Sequence, residues 1–355
     1  MIKLLTEMLS IPSPTFHEQE LTAFIKKFAL DNFPNPEIRE FKDCLIIELG
    51  KENIDLPHIT MVGHSDVVPQ WFKPYTEGDK LYGAGGSDML AAEAAFFRIT
   101  ADNHEDILKR ARISIVIYSR EEGTKMEDNG LYDLIGEYPD FFKSIDLAIV
   151  GEPTDNTIQI GCCGSLHASV VSTGMACHSA RPWNGENAFY KALPFITAMA
   201  ELEPIKHEVF GCDFFDVLSI TEENCTPGRT SIPGKWEANV NFRYAPVRTA
   251  KEAEDYVLNF VNDLKVDGLE IRIKDNAPSG SVHETKLFSK ACDLLDFPVQ
   301  AKQAWTDVAQ LSAMGVPCFN FGPGLTSQAH KDNEYCLISL IEKYGKSLKN
   351  LLVNI

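Results

Sequence analysis

The chain has 355 residues and carries 33 basic against 51 acidic side chains, a formal charge of −18. That excess repels nucleic-acid phosphates and excludes them as partners. The length exceeds one ordinary compact domain, so two are expected. With 44% hydrophobic and 24% charged residues, the composition is that of a soluble globular enzyme. No apolar run reaches membrane-spanning length, and no basic start with an apolar core and cleavage site appears. No membrane partner and a cytoplasmic location are therefore expected. Nine cysteines, an odd number without a CxxC pair, do not form a disulfide pattern.

In chain order, residues 1–9 have apolar positions at helical spacing until Ile11-Pro12-Ser13-Pro14 breaks the helix. A second amphipathic helix is predicted over 19–30, then strands over 37–41 and 44–49. Residues 57–62 are an apolar run of strand length that opens into Gly63-His64-Ser65-Asp66-Val67-Val68-Pro69, whose proline cannot continue a ladder. Alternate residues of an extended backbone share a face. His64 and Asp66 thus leave the strand end together, where open α/β sheets keep their ligand sites. Asp66 either orients a metal-binding imidazole or forms a plain strand-end pair with it.

Asp88 follows in a glycine-rich loop, Leu81-Tyr82-Gly83-Ala84-Gly85-Gly86-Ser87-Asp88-Met89, which opens into an alanine-rich helix. A strand over 113–119 precedes Glu121 and Glu122, which on their own would read as a solvated acidic turn. A third strand over 146–151 runs into Glu152 and Pro153. From about 164 to 277 the pattern changes to strand 166–172, helix 187–200, strand 236–243, helix 251–264 and strand 269–273, an inserted α+β domain. Asp275-Asn276-Ala277-Pro278-Ser279-Gly280 has linker composition. Strand–helix alternation then resumes and leads to Phe321-Gly322-Pro323-Gly324 and His330. Residues 1–163 and 279–355 are expected to form one discontinuous catalytic domain, with the insertion at 164–278.

The recurring unit is an apolar strand that ends in a carboxylate or an imidazole. Several buried carboxylates converging on one place are prohibitive unless cations neutralise them, and two divalent ions would do so. Nitrogen and oxygen donors without thiolate suit Zn2+, and also Co2+ or Mn2+, in a catalytic rather than a structural site.

The blocks His64-Ser65-Asp66-Val67-Val68-Pro69, Gly86-Ser87-Asp88-Met89, Glu121-Glu122-Gly123, Gly151-Glu152-Pro153-Thr154 and Phe321-Gly322-Pro323 with His330-Lys331-Asp332-Asn333-Glu334 resemble the two-metal amidohydrolase family. That family includes succinyl-diaminopimelate desuccinylase, acetylornithine deacetylase, aminoacylases and carnosinase-like dipeptidases. His178-Ser179-Ala180-Arg181-Pro182-Trp183, Asn241-Phe242-Arg243-Tyr244-Ala245-Pro246 and Trp305-Thr306-Asp307-Val308-Ala309 are most similar to its shorter desuccinylase branch. The resemblance implies an α/β catalytic domain with a mostly parallel central sheet flanked by helices. It also implies that the inserted domain is a ferredoxin-like α+β lid that pairs two subunits into a homodimer.

By the same resemblance Asp88 bridges two ions. His64 and Glu152 complete one ion's shell, and Glu122 and His330 complete the other. Glu121 becomes the general base, with Asp66 beside His64 in the catalytic set. His178 stabilises the oxyanion from the partner subunit, and Arg243 grips a substrate carboxylate. Gly322 offers its amide to the acyl end, and Thr230 stands where relatives carry a substrate-contacting asparagine. The peptide after the bridging aspartate is cis in relatives, which implies a cis Asp88–Met89 bond.

The implied substrate is a small acyl-amino acid, N-succinyl-LL-2,6-diaminopimelate, hydrolysed in diaminopimelate and lysine biosynthesis. Acetylornithine or acetylcitrulline deacetylation and dipeptide hydrolysis are the alternatives, and a non-catalytic metal-binding homologue is the distant one. Arg120, Leu90, Cys162-Cys163 and Thr230 depart from the better-known pattern, and they bear on the acyl group and amine rather than on hydrolysis.

Overall fold

Apolar spacing sets the first elements. Helix α1 (Ile2–Leu9) turns Leu4, Leu5, Met8 and Leu9 inward, and α2 (Gln19–Asn32) buries Leu21, Ile25 and Ala29. In the computed structural model, which describes residues 1–68, 70–225 and 228–355, they belong to a unit made of Met1–Gly161, Val282–Gln300 and Thr306–Ile355. Pro69, expected to close the first site strand, lies outside the described residues.

Strands β1 (Glu37–Phe41) and β2 (Cys44–Leu49) form an antiparallel hairpin. Lys42 and Asp43 both take positive φ at its two-residue turn, which suits the twist of the flanking strands. All residues of β2 and of β3 (His58–His64) are buried, as expected of strands covered on both faces. Short strands β4 (Tyr75–Glu77) and β5 (Lys80–Tyr82) precede α3 (Leu90–Ile107). The small buried faces of Ala91, Ala92, Ala94 and Ala95 bring α3 close to the sheet. A Cβ on Gly151 would lie 2.7 Å from that of Ala92. Strand β6 (Arg112–Tyr118) follows, then α4 (Gly130–Glu137), α5 (Pro139–Lys143), β7 (Leu147–Val150) and β8 (Ile158–Ile160).

The second unit comprises Cys162–Ser281 and Ala301–Trp305. It contains β9 (Gly164–Thr173), β10 (Cys177–His178), α6 (Ala188–Ala200), β11 (Ile205–Val209), β12 (Cys212–Cys225), β13 (Ser231–Ile232), β14 (Lys235–Tyr244), α7 (Ala250–Asp263) and β15 (Leu269–Ala277). Its sheet runs β11-β12-β14-β9-β15, with antiparallel neighbours throughout. Helices α6 and α7 pack Phe195 and Val257 onto Leu166, Val240, Phe242 and Trp236 of one face. Burying each such side chain stabilises by roughly 1.5–3 kcal/mol. The composition of 275–280 suggests a linker from Asp275 onward. Instead β15 passes through a bulge between Ile273 and Asp275 and stays paired to Ala277. Tyr244 Oη donates to Asn276 Oδ1 at 2.7 Å, so the polar residues of this stretch are tied into the sheet.

Then α8 (Lys286–Leu295), β16 (Val299–Ala301), whose last residue is counted with the second unit, α9 (Val308–Ala313), β17 (Cys318–Asn320), β18 (Tyr335–Leu337) and α10 (Ile338–Asn354) complete the chain. The large sheet has the order β1-β2-β6-β3-β7-β17-β8-β16. Its middle strands β6, β3, β7 and β17 are mutually parallel. This is a mostly parallel α/β sheet, and its four parallel strands release the chain along one edge, just before Glu121, Ser65, Glu152 and Gly322. Strands β18, β5 and β4 form a small antiparallel sheet of their own. No helix among the described residues is long and apolar enough to cross a membrane.

Candidate metal centre

His64 ends β3 fully buried, and its ring is held from behind. Nδ1 lies 2.9 Å from the backbone carbonyl of Asp66, while the Asp66 carboxylate is 3.6 Å away. The imidazole is therefore oriented by the main chain of Asp66 rather than by its side chain, contrary to the expectation from their spacing. With Nδ1–H donated to that carbonyl, Nε2 is the nitrogen turned toward Asp88, and in the metal-free protein its N–H donates to Asp88 Oδ1, 3.3 Å away. The Asp66 carboxylate instead accepts from Glu121 N at 3.0 Å, Glu122 N at 2.8 Å and Thr15 Oγ1 at 3.1 Å. It ties the end of β6 to the end of β3. Behind the strand, Gly63 leaves room for Glu93 of α3, whose Oε1 would lie 2.6 Å from a Cβ there. Burial pushes the Glu93 carboxyl up to about 8, so it adds no negative charge beneath the site at neutral pH.

Asp88 sits where the glycine loop enters α3, and the Asp88–Met89 peptide is cis, as the resemblance implies. Gly85 has φ +80°, and a Cβ there would meet Val67 Cγ1 at 2.4 Å. The loop turns three backbone amides inward. Glu334 accepts from Gly85 N at 2.8 Å, Ser87 N at 2.7 Å and Asp88 N at 2.9 Å. Burial moves the Glu334 carboxyl up to about 7, and these same amides oppose the shift. The sequence alone does not assign Glu334 to the site. A buried acid facing a glycine-rich turn is the signal that marks it.

His64, Asp88 and Glu122 each offer a ligand atom within 4.8 Å of the others. His330, at φ +62°, places Nε2 3.0 Å from Glu122 Oε2 and 3.5 Å from Asp88 Oδ2. Burial alone would lower the His64 pKa, but the Asp88 hydrogen bond and the charges of Glu121 and Asp66 hold it well above the usual range. Asp88 and Glu122 raise His330 to about 11. Burial would raise Asp88, but hydrogen bonds from His330 and His64 win and leave it lowered. Without an ion, the site thus neutralises its carboxylates by keeping protons on imidazoles. Those protons occupy the positions where a cation would bind, so the donor set fits divalent metal. Glu152, buried at the end of β7, adds a further carboxylate. Burial drives Glu121 well above the usual carboxylate range, and the charges of Asp307, Glu152 and Glu122 add to that.

Two further residues need reassignment. Gly322 N already donates to Thr154 Oγ1 at 3.1 Å, and a Cβ on Gly322 would lie 2.3 Å from the Gly151 carbonyl. Its amide is committed to joining β7 to β17 and does not face a substrate, which corrects the expected role. Asp307, noticed in the sequence only within a longer phrase, is fully buried and accepts from Tyr118 Oη at 2.6 Å and from Asn129 and Gln310. His178, Thr230 and Arg243 belong to the second unit. There β10 pairs with β13, setting His178 opposite Ser231, and Ser179 N donates to Thr230 O at 2.8 Å. Exposed His178 and Thr230 are thus neighbours. Arg243 on β14 is half-buried and donates Nε to Asn241 Oδ1 at 3.0 Å.

The family model for peptidase family M20/M25/M40 matches residues 60–354. The chain belongs to that family. It is 31% identical to a succinyl-diaminopimelate desuccinylase of Corynebacterium glutamicum over 99% of this chain and 95% of the relative. A tripeptidase of Staphylococcus aureus has the same fold, with a TM-score of 0.77, 15% identity, and coverage of 99% of this chain and 96% of that one. A Bacillus subtilis protein described as a dinuclear metal-binding peptidase of the M20 family superposes with a TM-score of 0.69 at 16% identity, over 99% and 96% of the two chains. As an M20 family member the protein is a metal-dependent hydrolase, and its parallel strands deliver His64, Glu121, Glu122 and Glu152 to one edge.

Proposed function

We propose that this protein is a two-metal amidase that hydrolyses N-succinyl-LL-2,6-diaminopimelate to succinate and diaminopimelate. The observation that carries the reading is the convergence of His64, Asp88, Glu122 and His330 within ion-binding distance, beside half-buried Glu121. Its substrate rests on the full-length likeness to the C. glutamicum desuccinylase. Asp88 would be shared between two ions, with His64 and Glu152 holding one and Glu122 and His330 the other. Zinc suits these donors, with cobalt or manganese as substitutes. When bound, the ions supply Lewis acidity toward the amide carbonyl and toward water.

The chain's own residues do the rest. Glu121 takes a proton from the attacking water and returns it to the leaving amine nitrogen. A carboxyl whose surroundings favour its protonated form is suited to the second half of that task. Asp66 fixes Glu121 and Glu122 through their amides, so base and ligand keep their relative positions. Arg243 pairs its remaining guanidinium N–H groups with the substrate's succinyl carboxylate in a forked contact.

An N-acetyl substrate has no acyl carboxylate and leaves that arginine unpaired. Succinyl-diaminopimelate should therefore exceed acetylornithine by more than roughly tenfold in kcat/KM. Arg243→Ala should erase most of the difference, and Arg243→Lys should restore only part of it because ammonium lacks the fork. Steady-state kinetics on both substrates test this, and equal or better turnover of acetylornithine sinks the substrate assignment.

The reading includes a homodimer joined through the second unit, with His178 serving the partner's site. Strand β11 pairs with β12 only from Cys212 to Asp216. From 217 onward that edge of β12 is open among the described residues, and α6 exposes Tyr190 and Leu193. An open edge and an apolar helix face suit two-fold pairing. Mixing Glu121→Gln with His178→Ala chains should then regain about a quarter of wild-type activity, one complete site per hybrid dimer. A fully active monomer in sedimentation at assay concentration rules this out.

A further inference from the structure

One short segment supplies both a candidate ligand and the group that fixes another. Strand β18 pairs with β5 so that Tyr335 faces Tyr82, and Gly83 N donates to the Glu334 carbonyl at 3.1 Å. That register drops the Glu334 side chain into the loop between β5 and α3. There the amides of Gly85, Ser87 and Asp88 form a concave nest of the kind that binds anions. The nest is filled by a side chain of the same protein, 1% exposed, through three charge-assisted bonds of 2.7–2.9 Å. Ser87 Oγ adds a bond to Tyr335 O at 2.8 Å. His330 lies four residues before Glu334, with Nε2 against Glu122 and Asp88.

We propose that Glu334 is the positioning residue for the bridging aspartate. It holds the Asp88 main chain in its ion-binding place before any ion arrives, and it couples that place to His330. Neither ion nor substrate touches it. The inference rests on the reading of Asp88 as the bridging ligand. A carboxylate is required rather than an amide, because Oε1 serves Ser87 and Asp88 while Oε2 serves Gly85. Glutamine keeps the first pair of bonds and turns an NH2 toward the Gly85 N–H.

The test combines amide hydrogen exchange with zinc competition against a chromophoric chelator. In the metal-free wild type the amides of Gly85, Ser87 and Asp88 should already be protected, and zinc should change their exchange little. Glu334→Ala should speed exchange at those three amides by about tenfold or more. Its zinc Kd should weaken about 10- to 100-fold, the usual effect of removing an outer partner of a ligand. Glu334→Gln should fall between the two, with Gly85 the most affected amide. Global melting is recorded alongside, since a merely structural loss lowers it without this amide-specific pattern. Amides that stay unprotected until zinc is added overturn the proposal, and so does a Glu334→Ala protein that binds zinc within twofold of wild type. If the alanine variant fails to fold, unchanged Gly85 exchange and zinc Kd in Glu334→Gln overturn it instead. Asp88→Ala serves as the control: wild-type zinc affinity there overturns the metal reading itself and leaves the exchange result intact.

Discussion

Replacing Glu121 by glutamine is expected to lower kcat by about a hundred- to ten-thousand-fold, the usual contribution of a general acid–base group, with bound metal unchanged. Glu121 is tied to the site through its backbone amide, which donates to Asp66 Oδ1 at 3.0 Å, and glutamine keeps that bond. The neighbouring Glu122, the proposed ligand, faces His330 and is untouched by the change. A second readout has a definite sign. The Glu121 carboxyl is held well above its ordinary range by burial and by Asp307, Glu152 and Glu122. In the metal-free protein the folded state therefore keeps a proton that the unfolded chain releases near its ordinary carboxyl pKa. As pH rises above about 4, that difference costs folding stability. Glutamine has no proton to lose, so the metal-free variant should match wild type in acid and become relatively more stable as pH rises. Metal analysis, steady-state rates and thermal melts from pH 4 to 8 check all three parts. A variant with near-normal kcat would assign the proton to another group.

How far this site was legible depends on whether a residue's role is local. His64, Glu122 and Glu152 stand just past apolar runs that fold as β3, β6 and β7, and four parallel neighbours align the ends of such strands. Asp88 was legible because glycines precede it and an alanine-rich helix follows. Asp66 was found but its bonds were not. Spacing places its side chain on the His64 face, whereas the carboxylate is captured by amides of residues 121 and 122, over fifty positions away. Glu334 depends on the pairing of β18 with β5, across about 250 residues, and no local pattern encodes that. Strand β12 carries no legible strand pattern because its 14 residues include runs of polar residues on an open edge. The end of β15 has linker composition because Asp275 and Asn276 have turn chemistry, and tertiary bonds from Tyr244 override it.

Asp88→Ala should remove metal from both positions and, with it, activity. Outer partners of metal ligands are worth about 10- to 100-fold in affinity, so loss of the proposed shared ligand should cost at least about 100-fold at each position. The wild type treated with excess chelator should lose activity in the same way and regain it with zinc. Folding supplies the discriminating measurement. An ion that binds only the native state stabilises by about 4 kcal/mol when its free concentration is a thousand times Kd. Added zinc should therefore raise the melting temperature of the wild type and leave that of Asp88→Ala almost unmoved. The loss would not come from a ruined fold, because the nest around residue 88 uses its backbone amide, which alanine keeps. Removing the carboxylate does leave buried His64 without its Asp88 partner, so its pKa should fall toward the value that burial alone dictates. The metal-free variant should then titrate His64 at lower pH than wild type, visible in its imidazole proton resonances. An Asp88→Ala protein that still binds two ions and turns over substrate would mean that the carboxylates converge on this edge for some other reason.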